Sequence, residues 1–275
     1  MTNDFFVSKF GNNRRFTFRS SHFSWLTDRL FDLVTRMRGG DRVDDLAAKG
    51  PVRRILITSV VVPGREAELD SVIAALKKTR HQITVALTPL GNRGKFQNIN
   101  LALKDIDVGQ FDWLVVFDDD VALSDNFMDR FIWLCEATDL KMAMPAHKFN
   151  SFVGYILTYR KLGSLVRQTN YVECGPVTAF HRDFLPMIYP FADVKWAWGM
   201  DVAWAEQALR AGFAIGIVDA TPLRHLKPIA ATYDGTNAAR EGTAYLDSLG
   251  IDRPKSDFLR TVRVVPVDLD PARTS

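Results

Sequence analysis

The 275-residue chain has only two cysteines, Cys135 and Cys174. They sit in unrelated apolar contexts without the paired spacing of a zinc site or a disulfide framework. A reduced, cytoplasmic protein with buried thiols is the expectation. No apolar run approaches the roughly 18 residues of a membrane span. Lys9, Arg14, Arg15 and Arg19 interrupt the stretch where the apolar centre of a signal peptide would lie. The charge is nearly balanced, with 35 Lys+Arg against 32 Asp+Glu and a net +3, too little to argue for nucleic acid. Repeats and low-complexity tracts are absent. Two phosphate-binding fingerprints are missing as well. In Gly91-Asn92-Arg93-Gly94-Lys95 only two residues separate the glycines and Phe96 follows the lysine, so the loop is not a P-loop. No G-x-G-x-x-G follows the first strand pattern, which disfavours a dinucleotide-binding domain.

What the chain does have is a core: 47% of its residues are hydrophobic, against the composition of disorder. Residues 55–62, 83–87, 113–117, 142–144 and 214–218 read as strands, and 177–180 and 152–159 as strand candidates. Helical spacing falls between them, at 69–76, 99–103, 127–134 and 202–210, with a short helix at 184–188 and Gly212 as a C-cap. Such alternation predicts a mainly parallel sheet covered on both faces. Three parts are expected. Residues 1–50 form a basic, aromatic extension, 51–237 the α/β domain, and 238–275 a C-terminal helix and tail. In the extension Phe23, Leu26, Leu30, Val34 and Met37 recur at helical spacing up to Gly39-Gly40. Seven basic side chains stand there against three acidic ones within residues 1–40, a surplus of four. Such a stripe packs on the main domain or lies on a membrane surface.

The densest chemistry follows Trp113-Leu114-Val115-Val116-Phe117, where Asp118-Asp119-Asp120 begins at once. A buried strand here delivers three carboxylates to its carboxyl end, the edge where open α/β sheets bind ligands. Adjacent carboxylates repel unless a cation shares them, and hard divalent cations take oxygen ligands; the alternative is a solvated turn. Arg93 and Lys95 suit a phosphate or a base edge, or form a solvated basic turn. Trp198-Gly199-Met200-Asp201 sets an acid under aromatic cover at a helix start, as general base or as N-cap. His225, placed after the final strand, is a metal ligand or a structural histidine.

Together these segments, from about Arg54 to Lys227, resemble the GT-A glycosyltransferases, especially the family 2 type. The shared parts are the first strand Ile55-Leu56-Ile57-Thr58-Ser59-Val60, the Gly94-Lys95 loop with Asn98, and a D-x-D element, here Asp118-Asp119-Asp120. Gly175-Pro176-Val177-Thr178-Ala179-Phe180-His181-Arg182 is similar to the acceptor-side Gly…Phe-Arg-Arg segment. Trp198-Gly199-Met200-Asp201 is similar to the Trp-Gly-x-Glu-Asp box of inverting transferases, with one acid instead of two. His225 falls where many of these enzymes place a metal-binding histidine. The Gln/Arg-x-x-Arg-Trp box of processive synthases is missing. The boxes at 118–120, 198–201 and 218–221 also resemble a poorly characterised domain family of unknown function.

The resemblance implies a GT-A-like (Rossmann-like) α/β fold and metal-dependent, inverting transfer of a sugar from a nucleotide-sugar donor. The acceptor would be a hydroxyl of a glycan or lipid-linked molecule in glycan or cell-envelope polysaccharide synthesis. It implies Mn²⁺ or Mg²⁺ on Asp120, Asp118 and His225. It implies donor contacts from Asp118, Asp119, Arg93, Lys95, Asn98 and Thr58, acceptor contacts from Trp198, Gly199 and Gly175, and Asp201 as base. Glu206 and Glu173 are the reserve bases. The competing readings are a nucleotidyltransferase acting on a sugar phosphate and a non-catalytic carbohydrate-binding protein. No nucleic acid is expected. The location implied is cytoplasmic, peripheral at the inner membrane face if residues 1–40 bind there.

Overall fold

The computed structural model describes residues 22–228 and 233–266. In chain order the elements are α1 (His22–Thr35), α2 (Arg42–Lys49), β1 (Arg54–Val61), α3 (Glu66–Leu76), β2 (Gln82–Pro89), α4 (Lys95–Leu103), β3 (Trp113–Phe117), β4 (Val121–Ala122), α5 (Phe127–Ala137) and β5 (Leu140–His147). Then follow β6 (Ser164–Thr169), β7 (Val177–His181), α6 (Leu185–Ile188), α7 (Met200–Ala211), β8 (Ala214–His225), α8 (Gly235–Ser248), α9 (Lys255–Phe258) and β9 (Thr261–Pro266). The strands form one sheet in the order β2-β1-β3-β7-β5-β8-β6-β9, with β4 paired to β8. On that path only β7 and β6 run against the others. The sheet is therefore mixed but mostly of one direction.

The strand interiors explain the layering. Every residue of β3 is buried, and β1 is buried from Ile55 to Val60, as expected for strands covered on both faces. The pleat sends neighbours to opposite sides. Leu56, Leu114 and Val116 join Phe96, Phe180 and Trp204 under α4, α7 and α8. Ile55, Ile57, Trp113, Val115 and Phe117 join Leu69, Val72 and Phe131 under α3 and α5. Both faces thus carry helices.

Three expectations need correction. Residues 152–159 are not a strand; they hold a single 3₁₀ turn, Ile156–Thr158, with Ile156 largely exposed. β8 does not stop at Asp219 but continues to His225, so His225 lies on the strand rather than after it. The C-terminal part is no simple tail: β9 pairs with β6, and Glu241 on α8 accepts the backbone N–H groups of Lys195 and Trp196 at 3.1 and 2.9 Å.

α1 also lies differently from its sequence pattern. Its apolar stripe is turned outward, with Leu26, Leu30 and Met37 exposed. What docks on the domain is its acidic edge. Asp28 accepts the N–H groups of Phe149 and Asn150 at 3.1 and 3.3 Å, and Asp32 takes Nη1 of the buried Arg160 at 2.7 Å. Phe31 meets Phe149 edge-on at 5.1 Å. The side chain of Phe23 lies outside the described residues.

One buried ion pair underlies β8. Arg167 on β6 gives Nε and Nη2 to Asp219, both at 2.9 Å. It also donates to the carbonyls of Leu157 and Tyr159, both at 2.7 Å, while Asp219 accepts the N–H of Lys161 at 3.0 Å. Removing one member strands the other. Asp219→Ala is expected to cost about 3–5 kcal/mol, and Arg167→Met with Asp219→Leu less than either single change. Urea unfolding midpoints of the three variants check this.

Candidate active site

Each carboxylate of the triplet meets its own cation, and each cation comes from a different strand end. Asp118 pairs with Nζ of Lys95, the first residue of α4, at 2.6 Å. Asp119 pairs with Arg65, just before α3, at 2.5 Å. Asp120 faces Nε2 of His225, the last residue of β8, at 3.4 Å, with Arg65 at 3.9 Å. The backbone holds this register. The N–H of Asp118 donates to the Pro176 carbonyl at 2.8 Å, and that of Leu226 to the Asp120 carbonyl at 2.9 Å. β4 sets Val121 opposite His225.

Charge and burial compete at these groups. Burial disfavours the Asp120 carboxylate, but the hydrogen bond and charge of His225, with Arg65, outweigh it and lower its pKa. At Asp119 burial wins over Arg65 and raises the pKa. At His225 burial opposes the charged ring, yet Asp120 raises its pKa. Nδ1 of His225 lies 3.1 Å from the Phe152 carbonyl. With Nδ1–H donated there, Nε2 is the nitrogen turned to Asp120, the tautomer that a metal-ligating histidine needs. Behind it His147 is fully buried with neither ring nitrogen bonded; burial and then the His225 charge push its pKa down to about 3.

These groups line a cavity of about 720 Å³, within the size range of small-molecule sites. The lining also includes Asp201, the second residue of α7, which follows Gly199, the N-cap with φ +90°. Asp201 accepts the hydroxyl of Tyr171 at 2.5 Å and the N–H of Val202 at 2.9 Å. Burial raises its pKa to about 6, against the lowering effect of the Tyr171 bond. Glu173 lines the same cavity, with Oε2 shielded and unpartnered. Burial, then the charge of Asp201, pushes it up to about 8. An aromatic wall completes the cavity. Trp196 stacks on Tyr233 at 4.8 Å, and Nε1 of Trp198 donates to the Tyr233 hydroxyl at 3.0 Å.

Asp118, Asp119, Asp120, Arg93, Lys95, Gly175, Trp198, Asp201 and His225 are therefore brought to one cavity. Thr58, Asn98 and Gly199 are not among its lining residues. Thr58 is fully buried inside β1, and Ser59 and Val60 reach the cavity instead. Asn98 is spent on the loop, donating to the carbonyls of Leu90, Arg93 and Gly94 at 2.7, 3.2 and 3.0 Å. Gly199 serves packing: a Cβ there would sit 3.0 Å from the Gly242 carbonyl oxygen on α8. Glu206 is also elsewhere, held by Arg210 and Arg253 at 2.7 and 2.8 Å. Among the described residues, no three His, Cys, Asp or Glu side chains already form a metal cage. Asp120 and His225 are adjacent, whereas Asp118 is drawn to Lys95. Arg65 and Tyr233 are the members that the sequence did not mark. Pro63-Gly64-Arg65, at the end of the first strand, was the one available signal.

The sheet, the helices on its two faces and this cavity invite comparison with known structures. No family model matches the chain, and no curated protein does either. Among solved structures it is similar to the catalytic domain of Drosophila beta1,4galactosyltransferase 7 complexed with xylobiose, at 14% identity and TM-score 0.45 over 70% of this chain and 80% of that one. It is similar to a mannosyltransferase of Pyrobaculum calidifontis in complex with GDP-Man and Mn²⁺, at 12% identity and TM-score 0.44 over 70% of this chain and 67% of that one. GalNAc-T7 with UDP, GalNAc and Mn²⁺ matches at 10% identity and TM-score 0.43, over 67% of this chain and 45% of that one. These neighbours are glycosyltransferases; at such distances the chemistry of the present cavity has to be read from its own side chains.

Arg65 gives the site a direct test. Arg65→Ala leaves Asp119 without its cation, and a loss of about 1–3 kcal/mol is expected. Adding Asp119→Asn should recover part of it, because the buried charge goes too. A double-mutant cycle in urea measures the coupling.

Proposed function

We propose that the protein is a metal-dependent glycosyltransferase of GT-A-like type that passes a sugar from a nucleotide-sugar to an acceptor hydroxyl with inversion. The observation that carries this is the presence of two unlike acidic centres in the lining of one cavity. One is the cation-matched triplet with His225; the other is the buried Asp201.

The donor set fits a divalent cation. A carboxylate oxygen of Asp120 and a ring nitrogen of correct tautomer on His225 lie 3.4 Å apart, and a mixed carboxylate–imidazole set accepts first-row divalent cations, Mn²⁺ among them. Asp120 and His225 would hold it, with Asp118 toward the ribose or the water shell of the ion. When bound, the ion supplies neutralisation of the charge that develops on the departing diphosphate. Lys95 and Arg93 add fixed positive charge on the donor side. Trp196, Trp198 and Tyr233 offer flat apolar faces to a sugar ring or a base. Asp201 takes the proton of the acceptor hydroxyl as that oxygen attacks the anomeric carbon. Glu173, protonated at neutral pH, is free to donate a hydrogen bond rather than accept a proton. The acceptor class, glycan or lipid-linked, follows from the resemblance alone.

Nucleotide-sugar turnover across several donors, with Mn²⁺, Mg²⁺ or a chelator, tests the reading. Transfer or hydrolysis releasing a nucleoside diphosphate is expected; release of pyrophosphate from a sugar phosphate and a nucleoside triphosphate would instead establish a nucleotidyltransferase. Asp120→Ala should abolish Mn²⁺-dependent donor binding in calorimetry.

Asp201→Asn should bind donor nearly normally and lose transfer by about 10²-fold or more. The base works ionised, so transfer should fall as pH drops through about 6, not near the ordinary Asp value. Tyr171→Phe removes a bond that favours the carboxylate and should shift that limb to higher pH. An Asp201→Asn variant within a few-fold of wild type would remove Asp201 as base.

A further inference from the structure

We infer that the outward face of α1 is a docking surface for an anionic lipid bilayer. The inference is independent of the reaction proposed above. α1 separates its residues by chemistry. At about 100° per residue, Leu26, Leu30 and Leu33 fall within one arc of α1, with Trp25 and Arg29 on one edge, and Arg36 and Met37 follow in the π-helical turn Arg36–Gly40. All seven are exposed; Leu26, Leu30 and Leu33 each keep more than half of their surface in water, and Met37 77%. Five of the fifteen exposed large hydrophobic residues among those described lie on this short segment. Scattered apolar residues need no explanation, but a contiguous apolar face does.

The charge distribution selects the occupant. Asp28 is turned into the domain and held by the backbone of Phe149 and Asn150, while Asp32, half-exposed at the border of the arc, is paired with Arg160. The arc itself and the turn that follows it carry Arg29 and Arg36 and no acid. Arg29 lies over the Trp25 ring, 4.0 Å from its centroid, so an aromatic and a cation are presented as one unit. Apolar side chains flanked by arginine and tryptophan match the boundary between headgroups and acyl chains. A second copy of the chain would meet like charge along the same edge. No described helix is long and apolar enough to cross a membrane, so the contact is with the surface of the bilayer.

One short segment touches both α1 and the cavity. Asn150 receives α1 through Asp28, and the next two residues hold His225: Ser151 Oγ accepts its backbone N–H at 3.2 Å and the Phe152 carbonyl faces its Nδ1.

The test is flotation of the full chain with phosphatidylglycerol–phosphatidylcholine vesicles and with phosphatidylcholine alone. The unaltered protein should float with the anionic vesicles, and raising the salt should release it, since screening weakens surface attraction. Leu30→Ser with Leu33→Ser, and separately Arg29→Glu with Arg36→Glu, should each lower partitioning about tenfold or more. Their unfolding midpoints should stay unchanged, because the altered side chains are exposed. Three results would overturn the inference. They are no flotation of the unaltered chain, equal flotation with neutral vesicles at all salt concentrations, and unchanged partitioning of both variants. Self-association that the Leu variant abolishes, without vesicle binding, would assign the face to a second copy instead. The salt dependence of the unaltered chain keeps the test decisive should a variant fail to fold.

Discussion

Three consecutive carboxylates at the tip of a buried strand would drive one another apart if they stood alone. The architecture around them answers that repulsion. Lys95 arrives from the loop after β2, Arg65 from the end of β1 and His225 from the end of β8. Each of these strands must therefore end at the same edge of the sheet. Parallel neighbours do this, because their carboxyl ends coincide, and β1, β2, β3 and β8 share that direction. The three cations differ in what they leave available. Lys95 and Arg65 offer only donors, whereas the imidazole of His225 can also present a nitrogen lone pair beside Asp120. Gly175 keeps the Asp118 side open, since a Cβ there would sit 3.3 Å from Oδ2 of Asp118.

The second constraint is the buried Arg167–Asp219 pair, and it also explains where the sequence was misread. Strand β3 was legible to its boundaries, 113–117, because an uninterrupted apolar run bounded by charge has few other structures open to it. Residues 214–218 were read as a strand ended by Asp219, since an aspartate ordinarily marks a surface. Here the carboxylate is neutralised by Arg167 and the strand runs on to His225. The same pairing hid β6: Ser164-Leu165-Val166-Arg167-Gln168-Thr169 looks polar at its centre, yet Arg167 is buried. β9 escaped for the opposite reason. It is an edge strand, half exposed throughout, and shows no clear alternation. Residues 152–159 were apolar enough to suggest a strand, but their chain turns to expose Ile156.

The site was legible to the same degree and for the same reasons. Asp118, Asp120, Lys95, Asp201 and His225 stand at strand ends or helix starts, where local pattern locates them. Thr58 and Asn98 carry the right chemistry in the right segments, but neither faces the cavity. Thr58 lies too deep in β1, where only Ser59 and Val60 toward the carboxyl end reach the cavity, and loop closure consumes Asn98. Arg65 stood at a strand end as well, but its pairing could not be read because Asp119 lies more than fifty residues away. The orientation of α1 was left open because an amphipathic pattern states which residues lie together, not which side meets the protein. Asp28 and Asp32 are its anchors.

Asp201 and Glu173 are both buried carboxyl groups in the lining of one cavity, and their surroundings set them apart. Asp201 keeps two hydrogen-bond donors, the Tyr171 hydroxyl and the Val202 N–H, so its carboxylate remains accessible above about pH 6. Glu173 has a shielded, unpartnered oxygen and the Asp201 charge nearby, and it holds its proton up to about pH 8. Ionising Asp201 makes Glu173 harder to ionise, so the division reinforces itself. Between the two values the cavity contains one base and one neutral acid. Tyr171 is the residue that sets this asymmetry. Its own pKa is raised well above the usual tyrosine range by burial and then by the Asp201 charge, so it stays a hydroxyl donor throughout.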